Sequence, residues 1–396
     1  MRLWKMEMRR ILGRPILNVG LCLLLAFLVF AFWVDASRSR AEIDGTVYRG
    51  INAIQADRKL AKEYEGILTI DKINQIVERF GFSNFIQQEG QDFPREREGN
   101  FCNQWVTNNL TDFYQTNKKG TTYLESERWE AYGKHYLESR RWEEYGKRYL
   151  EKKMKFGYTE GWKYFHSIWS WSVLALNVWL VLMTAPVFSE EYGRKTIHVL
   201  LTSVHGKWKD IWAKIAASLT VGIAIFLALT LLLFGMTIAI YGTDGLGASA
   251  GMFDFRALFG STNLSVGHYT VLAFGAKFAA VCVNICVTLL FSSRCRSVIS
   301  AVVVRMLLFY PLAWLMNEVL YQMLFDLIYD TGAIYHLWGW LSLDILSILC
   351  SSTTYYLSWS APIGAPSNWG VVILFVLLIV IIGSIWQVFV NYRKGE

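Results

Sequence analysis

The pattern closest to a catalytic motif is Gly-Ala-Ser-Ala-Gly at 247–251, which matches G-x-S-x-G. In a nucleophile elbow this motif forms a sharp turn between a strand and a helix. Gly242 and Gly245 precede it here, which favours a flexible loop turn. An intramembrane hydrolase that uses Ser249 is therefore less favoured than either of the two functions considered below.

Polar side chains within apolar segments are a second group of interest, because charges are costly inside a membrane. Lys277 and Glu318 fall at similar depth in two apolar segments, and one hypothesis is that they pair. Arg305 is expected to extend its charge to the cytoplasmic surface. Asn177 and Asn284 are expected to form interhelical hydrogen bonds, with lining of a translocation path as the alternative.

The composition excludes an ordinary soluble enzyme. The 396 residues are 54% hydrophobic and only 18% charged, whereas soluble domains are about 25% charged. The formal net charge is +7, and in a membrane protein this excess marks the cytoplasmic face rather than a nucleic-acid site. The six His have no metal-ligand spacing, so we predict that the chain binds neither metal nor cofactor.

Six segments are long enough to cross a bilayer as helices, which requires about 20 apolar residues each. They are 16–34, 168–188, 215–241, 269–291, 298–321 and 369–389. The segment 333–350 is also apolar, but it contains His336 and Asp344 and is interpreted as short surface or re-entrant helices. The predicted fold class is an all-α polytopic membrane protein with six transmembrane helices.

Basic residues predict the orientation, because Lys and Arg accumulate in cytoplasmic loops. The segments assigned to the cytoplasm are 1–15, an amphipathic elbow, and 189–214, 292–297 and 390–396. Those assigned to the outside are 35–167, 242–268 and 322–368. Both termini are therefore predicted to be cytoplasmic.

The segment 35–167 is long enough for an extracytoplasmic domain with its own core. Helical periodicity follows a possible N-cap at Thr69, and no segment alternates as strands do. A 13-residue unit at 123–135 recurs from 136, and a solvated helical hairpin or an aromatic binding surface would both explain it. A disulfide between Cys102 and Cys350 stays open.

The stretch 190–214 has the pattern of an amphipathic helix between two spans. Its apolar residues recur at helical spacing, with basic residues opposite them. Ser189 is expected to cap this helix. Such a helix would lie in the membrane interface and pass a push from a cytoplasmic partner to both spans.

This stretch resembles the permeases of the ABC-2 transporter family. The resemblance rests on an acidic pair, Gly-Arg-Lys-Thr at 193–196, Leu-Leu-Thr-Ser at 200–203 and a basic residue entering the next span. Val204 and His205 stand where family members often have Pro after this motif. The basic elbow before span one, the six spans and the large loop after the first span are also similar to the family plan.

The resemblance implies an ABC exporter permease that docks on a separate ATPase subunit. The residues implied in ATPase coupling are Glu190, Glu191, Gly193, Arg194, Lys195, Leu200, Leu201 and Lys207. ATP would bind the partner, since the printed sequence has no G-x-x-x-x-G-K-[ST] loop. A second permease copy, and the bacterial plasma membrane as location, are also implied.

One further function stays open at this point. A membrane ligand sensor would bind a peptide or lipid with its outer domain and signal without transport. The sequence does not identify a cargo, and peptides, drugs, lipids and ions all fit it.

Overall fold

The computed structural model describes residues 2–81, 99–110, 146–196, 202, 208–253, 263–314 and 369–394. Their helices are α1 (Arg2–Leu12), α2 (Pro15–Arg38), α3 (Ile51–Glu63), α4 (Ile70–Phe80), α5 (Phe101–Leu110), α6 (Lys147–Glu151), α7 (Glu160–Thr184), α8 (Pro186–Gly193), α9 (Lys209–Tyr241), α10 (Val266–Arg294), α11 (Val298–Trp314) and α12 (Trp369–Lys394). The strands are β1 (Arg40–Ile43), β2 (Thr46–Arg49), β3 (Gly66–Ile67) and β4 (Lys155–Phe156).

Five helical stretches are long and apolar enough to cross a membrane. They are Pro15–Arg38, Glu160–Gly193, Lys209–Tyr241, Val266–Arg294 and Phe375–Tyr392. Helix α11 is apolar but shorter, and the predicted span 298–321 extends past it into residues outside those described. The prediction of a mostly helical, polytopic chain is confirmed at this level.

The chain divides into two compact units. Unit 1 contains Met1–Leu28, His166–Leu233 and Thr270–Glu396, and unit 2 contains Val29–Phe165 and Phe234–Tyr269. The buried share of the apolar residues differs widely among these stretches. It is 78% for the apolar window of Glu160–Gly193 and 11% for that of Pro15–Arg38. Helix α7 is therefore central to the bundle, whereas most of the surface of α2 faces outward.

Close packing in unit 1 depends on a glycine in α9. A Cβ on Gly222 would lie 2.4 Å from Cδ1 of Ile285 and 3.2 Å from Cδ2 of Leu180. Only a residue without a side chain allows α9 to approach α7 and α10 this closely, as is common between membrane helices.

Unit 2 contains strands that the sequence analysis did not predict. Strands β1 and β2 pair as an antiparallel hairpin with Arg40 opposite Arg49. The turn is Asp44-Gly45 with both φ angles positive, 49° and 80°, and Asp-Gly is a preferred pair for such hairpin turns. The sequence analysis expected mostly helix and missed this hairpin, because four-residue strands are too short to show alternation.

The helices of unit 2 follow their local signals more closely. Thr69 caps α4, where its hydroxyl accepts a hydrogen bond from the backbone N–H of Lys72 at 3.3 Å. Ile73 and Ile76 are fully buried on one face of α4. Cys102 is buried in α5, whereas Cys350, the repeated unit from 123 and the segment 333–350 lie outside the described residues.

Ser249 is part of the scaffold of unit 2. Its hydroxyl accepts a hydrogen bond from the backbone N–H of Lys155 at 2.9 Å, and its side chain is almost completely buried. It forms a bridge with Ser265 and precedes a short 3-10 turn, Ala250–Met252. The strand–turn–helix geometry that a nucleophile elbow needs is not found at this position.

Candidate functional site

The predicted coupling residues fall into two groups. Glu190, Glu191 and Gly193 lie in the last turn of α8, and Arg194 and Lys195 follow it directly. Leu200, Leu201 and Lys207 lie outside the described residues. The structure differs from the single helix predicted over 189–214, because α8 ends at Gly193 and residues 209–214 begin α9. Ser189 is inside α8 and therefore does not cap it.

Glu191 is at the centre of a group of paired charges, the charged cluster, that joins four helices. Its carboxylate accepts hydrogen bonds from Arg10 of α1 at 3.1 Å and from Lys214 of α9 at 2.9 Å. The hydroxyl of Tyr392, in α12, donates to it at 2.5 Å. Lys214 also pairs with Asp210. Because Glu191 is only 5% exposed and Lys214 is 0% exposed, these contacts are shielded from solvent.

Glu190 extends the charged cluster toward solvent. It pairs with Arg10 at 3.1 Å, with Arg14 at 3.6 Å and with Arg194. Arg14 also donates to the carbonyl of Met183 at 3.0 Å, at the end of α7. The predicted acidic pair therefore binds basic residues of its own chain, which restricts what it offers to a partner.

Two ionisable side chains of α1, Glu7 and Arg10, have shifted pKa values because they contact the charged cluster. Burial raises the pKa of Glu7 above its usual value, although Lys214 and Arg10 oppose this effect. Burial alone would lower the pKa of Arg10, but hydrogen bonds to Glu190 and the charges of Glu7 and Glu191 raise it overall. Arg10 therefore keeps its charge while it ties α1 to α8.

Lys214, Asp210 and Tyr392 belong to the charged cluster but were not identified as functional residues from sequence. Lys214 was assigned only to the cytoplasmic segment 189–214. The i,i+4 spacing of Asp210 and Lys214 was a usable signal, since such pairs face each other on a helix. Tyr392 is far from them in sequence, and only the fold brings it to Glu191.

Residues 193–196 form an exposed turn at the end of α8. All four are exposed, and the side chain of Arg194 is 73% exposed. Lys195 has a φ of 56°, and the N–H groups of Lys195 and Thr196 donate to the carbonyls of Tyr192 and Glu191. This is a Schellman motif, which usually has Gly at the position of Lys195.

Helix α10 supports the break between α7 and α8. Pro186 begins α8 and lacks an N–H group. The hydroxyl of Ser292 accepts hydrogen bonds from the N–H groups of Phe188 and Ser189 at 3.0 and 3.1 Å, and it donates to the carbonyl of Ala185. One side chain of α10 thus satisfies the backbone groups that the break leaves free.

A polar seam joins α7 and α10 through the membrane bundle. The Lys277 ammonium donates to the Ser170 hydroxyl at 2.8 Å, and the Asn284 amide donates to the Asn177 side-chain oxygen at 3.1 Å. Both pairs are separated by 107 residues, so the helices run parallel in constant register. All four side chains are buried.

Arg305 of α11 joins this seam, and the expectation that it reaches the membrane surface is wrong. Its Nη2 donates to the side-chain oxygen of Asn284 at 2.7 Å, and the residue is 0% exposed. A polar acceptor inside the bundle makes the buried position possible. Glu318, the partner suggested for Lys277, lies outside the described residues; within them Lys277 also faces the Trp169 ring at 4.9 Å.

The described polar residues form ion pairs, hydrogen bonds and an exposed turn. Within the described part of the chain, no three His, Cys, Asp or Glu side chains are grouped so as to hold a metal ion.

Comparison with known proteins assigns the family. A search among curated proteins finds no match to this chain. A family model described as "ABC-2 family transporter protein" matches residues 1–331, which include every described helix except α12. Members of this family are membrane transport components and not themselves catalytic. The chain is a multi-pass membrane protein and belongs to the ABC-2 transporter family.

Proposed function

We propose that the chain is the membrane-spanning permease subunit of an ATP-driven exporter and that a separate ABC ATPase subunit drives it. ATP would bind only to that partner. The family assignment and the absence of a phosphate-binding loop from the printed sequence support this division of labour.

The topology proposed for this permease has six transmembrane helices and both termini in the cytoplasm. Helix α11 with the residues that follow it would be the fifth of the six. Residues 35–167, most of unit 2, would form an extracytoplasmic domain, and the membrane would be the plasma membrane of a bacterium. The positions of Lys and Arg along the chain support this orientation.

The exposed turn 193–196 carries the proposal. It offers Arg194 and Lys195 to a partner, while Glu191 one turn earlier is bonded to α1, α9 and α12. A force applied at the turn would therefore be transmitted to four helices together. The proposed docking surface is the exposed turn with the residues that follow it, rather than the acidic pair.

The proposed path lies between two permease copies, as the family resemblance implies. Displacement of α8 would move α7 and α10 as one body, because the polar seam and Ser292 join them. The seam would then act as a rigid support beside the path, and its polar groups would line the path only if the two helices separate.

Charge reversal at the exposed turn tests the docking claim. We expect the double variant Arg194→Glu/Lys195→Glu to lose about tenfold or more of the ABC ATPase that co-purifies with the wild type, because like charges at an interface are strongly unfavourable. The matched control is Lys59→Glu/Lys62→Glu, an equal charge change at exposed positions of α3. Equal ATPase recovery from the two variants would contradict the proposal.

Transport itself separates this function from a ligand sensor. Vesicles that contain the permease and its ATPase should accumulate cargo only with ATP. Binding of a ligand at unit 2 without ATP-dependent flux of any cargo class would favour the ligand sensor.

A further inference from the structure

An aromatic groove lies between the beginning of α9 and the end of α12 in unit 1. Its volume is about 600 Å³, within the range of ligand pockets. The lining residues are all apolar or aromatic: Trp208, Trp212, Ile382, Ile385, Trp386, Phe389 and Val390. Phe389 forms the floor, with its ring 5.1 Å from the rings of both Trp208 and Trp212.

The groove is open to the surroundings of the protein. Trp386 is 69% exposed and Ile382 is 65% exposed, whereas Phe389 is buried. Both helices are long and apolar enough to span a membrane, and the groove lies where α9 begins and α12 ends. Tryptophan is enriched at this depth because its ring is apolar and its N–H is polar.

In the described part of the chain a basic residue stands next to a lining residue of the groove. Lys209 is exposed and directly follows Trp208, and the sequence has Lys207 on the other side of this Trp. The sequence also has Arg393 and Lys394 shortly after Val390. The acid nearest in sequence, Asp210, is buried and paired with Lys214, so it does not cancel this charge.

We infer that the groove binds one acyl chain of an anionic phospholipid, whose headgroup pairs with Lys209. An apolar groove at the end of two spans fits a lipid chain, and clustered Lys and Arg beside a span attract anionic headgroups. The site is independent of the transport proposal, because it needs only that α9 and α12 span the membrane. Its occupant would contact Phe389, one turn before Tyr392 of the charged cluster.

Native mass spectrometry of the detergent-solubilised chain tests the site. The probes are dioleoyl phosphatidylglycerol, which is anionic, and dioleoyl phosphatidylcholine, which is zwitterionic and has the same chains. We expect the wild type to retain the anionic lipid preferentially. Lys209→Gln should lower that preference roughly fivefold, the effect of one basic residue near a membrane surface.

A steric variant separates the groove from general lipid contact. Ile382→Trp should fill the groove and remove the retained lipid. Its control is Leu231→Trp, at a position of α9 that is 68% exposed and does not line the groove, and this variant should retain the lipid.

Four results would overturn the inference. One is equal retention of both lipids by the wild type, and another is an unchanged preference in Lys209→Gln. The third is equal lipid retention by the Ile382→Trp and Leu231→Trp variants. A lipid-free dimer that dissociates only in Ile382→Trp would instead assign the groove to a second copy of the chain and likewise overturn it.

Discussion

Unit 1 has two buried polar regions, and they offset the free-energy cost of burying charged side chains in different ways. In the charged cluster, Lys214 and Arg10 meet carboxylates of Glu191, Glu190 and Asp210. In the polar seam, Lys277 and Arg305 donate to the neutral oxygens of Ser170 and Asn284. The cluster thus depends on charge balance, whereas the seam depends on hydrogen-bond geometry between helices in fixed register.

We expect the two regions to have separate mechanical roles in the proposed function. The cluster joins the end of α8 to three other helices through charges that stay paired. The seam fixes α7 against α10 by direct side-chain contacts, with Asn284 accepting from Arg305 while it donates to Asn177. A push at the exposed turn would reach the bundle through the first region and be distributed along the second.

Removal of charge should have its largest effect in the cluster. Glu191→Gln leaves Lys214 with one fewer carboxylate at a fully buried site, and breaking such a pair costs about 3–5 kcal/mol. We expect a large drop in the midpoint of thermal unfolding in detergent. The control Glu190→Gln affects a more exposed carboxylate and should cost about 1 kcal/mol or less. Similar losses of thermal stability in the two variants would show that Glu191 is not the centre of the charged cluster.

The seam should respond to geometry rather than to added charge. Asn284→Ala removes the acceptor of Arg305 and the donor to Asn177, with a loss of about 1–3 kcal/mol. Asn284→Asp keeps an acceptor 2.7 Å from the Arg305 nitrogen and should be closer to wild type in thermal unfolding. If Asn284→Asp is the more damaging variant, the contrast between the two regions is wrong.

Asp57 of unit 2 is a half-buried carboxyl group that belongs to neither of these two regions. Burial raises its pKa to about 7, opposed by a hydrogen bond from the N–H of Phe101 and aided by Glu160. The unfolded carboxyl loses its proton near pH 4, so the folded state binds more protons between about pH 4 and 7. Stability should therefore fall as pH rises through this window, and Asp57→Asn should flatten a thermal-unfolding profile recorded from pH 5 to 8.

The smallest effect on stability is expected at the exposed turn. Lys195→Gly relieves a positive φ of 56° and should raise stability by less than about 1 kcal/mol. The same variant removes a positive charge from the proposed docking surface and should lower ATPase co-purification. A stabilised variant with unchanged co-purification would mean that Lys195 shapes the turn and does not dock.

The lengths of the apolar segments and the motif around 190–203 allowed much of the fold to be predicted from sequence. The family was identified from the residues around 190–203, and the family match confirms it. Thr69 was identified as an N-cap because its signal is local. The β1–β2 hairpin was missed, although Asp44-Gly45 is a hairpin signal, because the strands are only four residues long.

The roles of the polar residues were harder to predict because they depend on distant partners. Glu191 was interpreted as a docking residue, yet its contacts come from Arg10, Lys214 and Tyr392, which are separated from it by 181, 23 and 201 residues. Arg305 was placed at the surface because its acceptor belongs to another helix. Charge pattern alone does not distinguish a buried, paired residue from an exposed one.

Site-specific photo-cross-linking in intact cells tests the central claim most directly. A photoreactive amino acid would replace Lys195 in the exposed turn or, as control, the exposed Lys59 of unit 2. The account predicts a covalent adduct with an ABC ATPase subunit from position 195 and none from position 59. An ATPase adduct from position 59, or its absence from position 195 when the same cells contain the functional exporter, would contradict it.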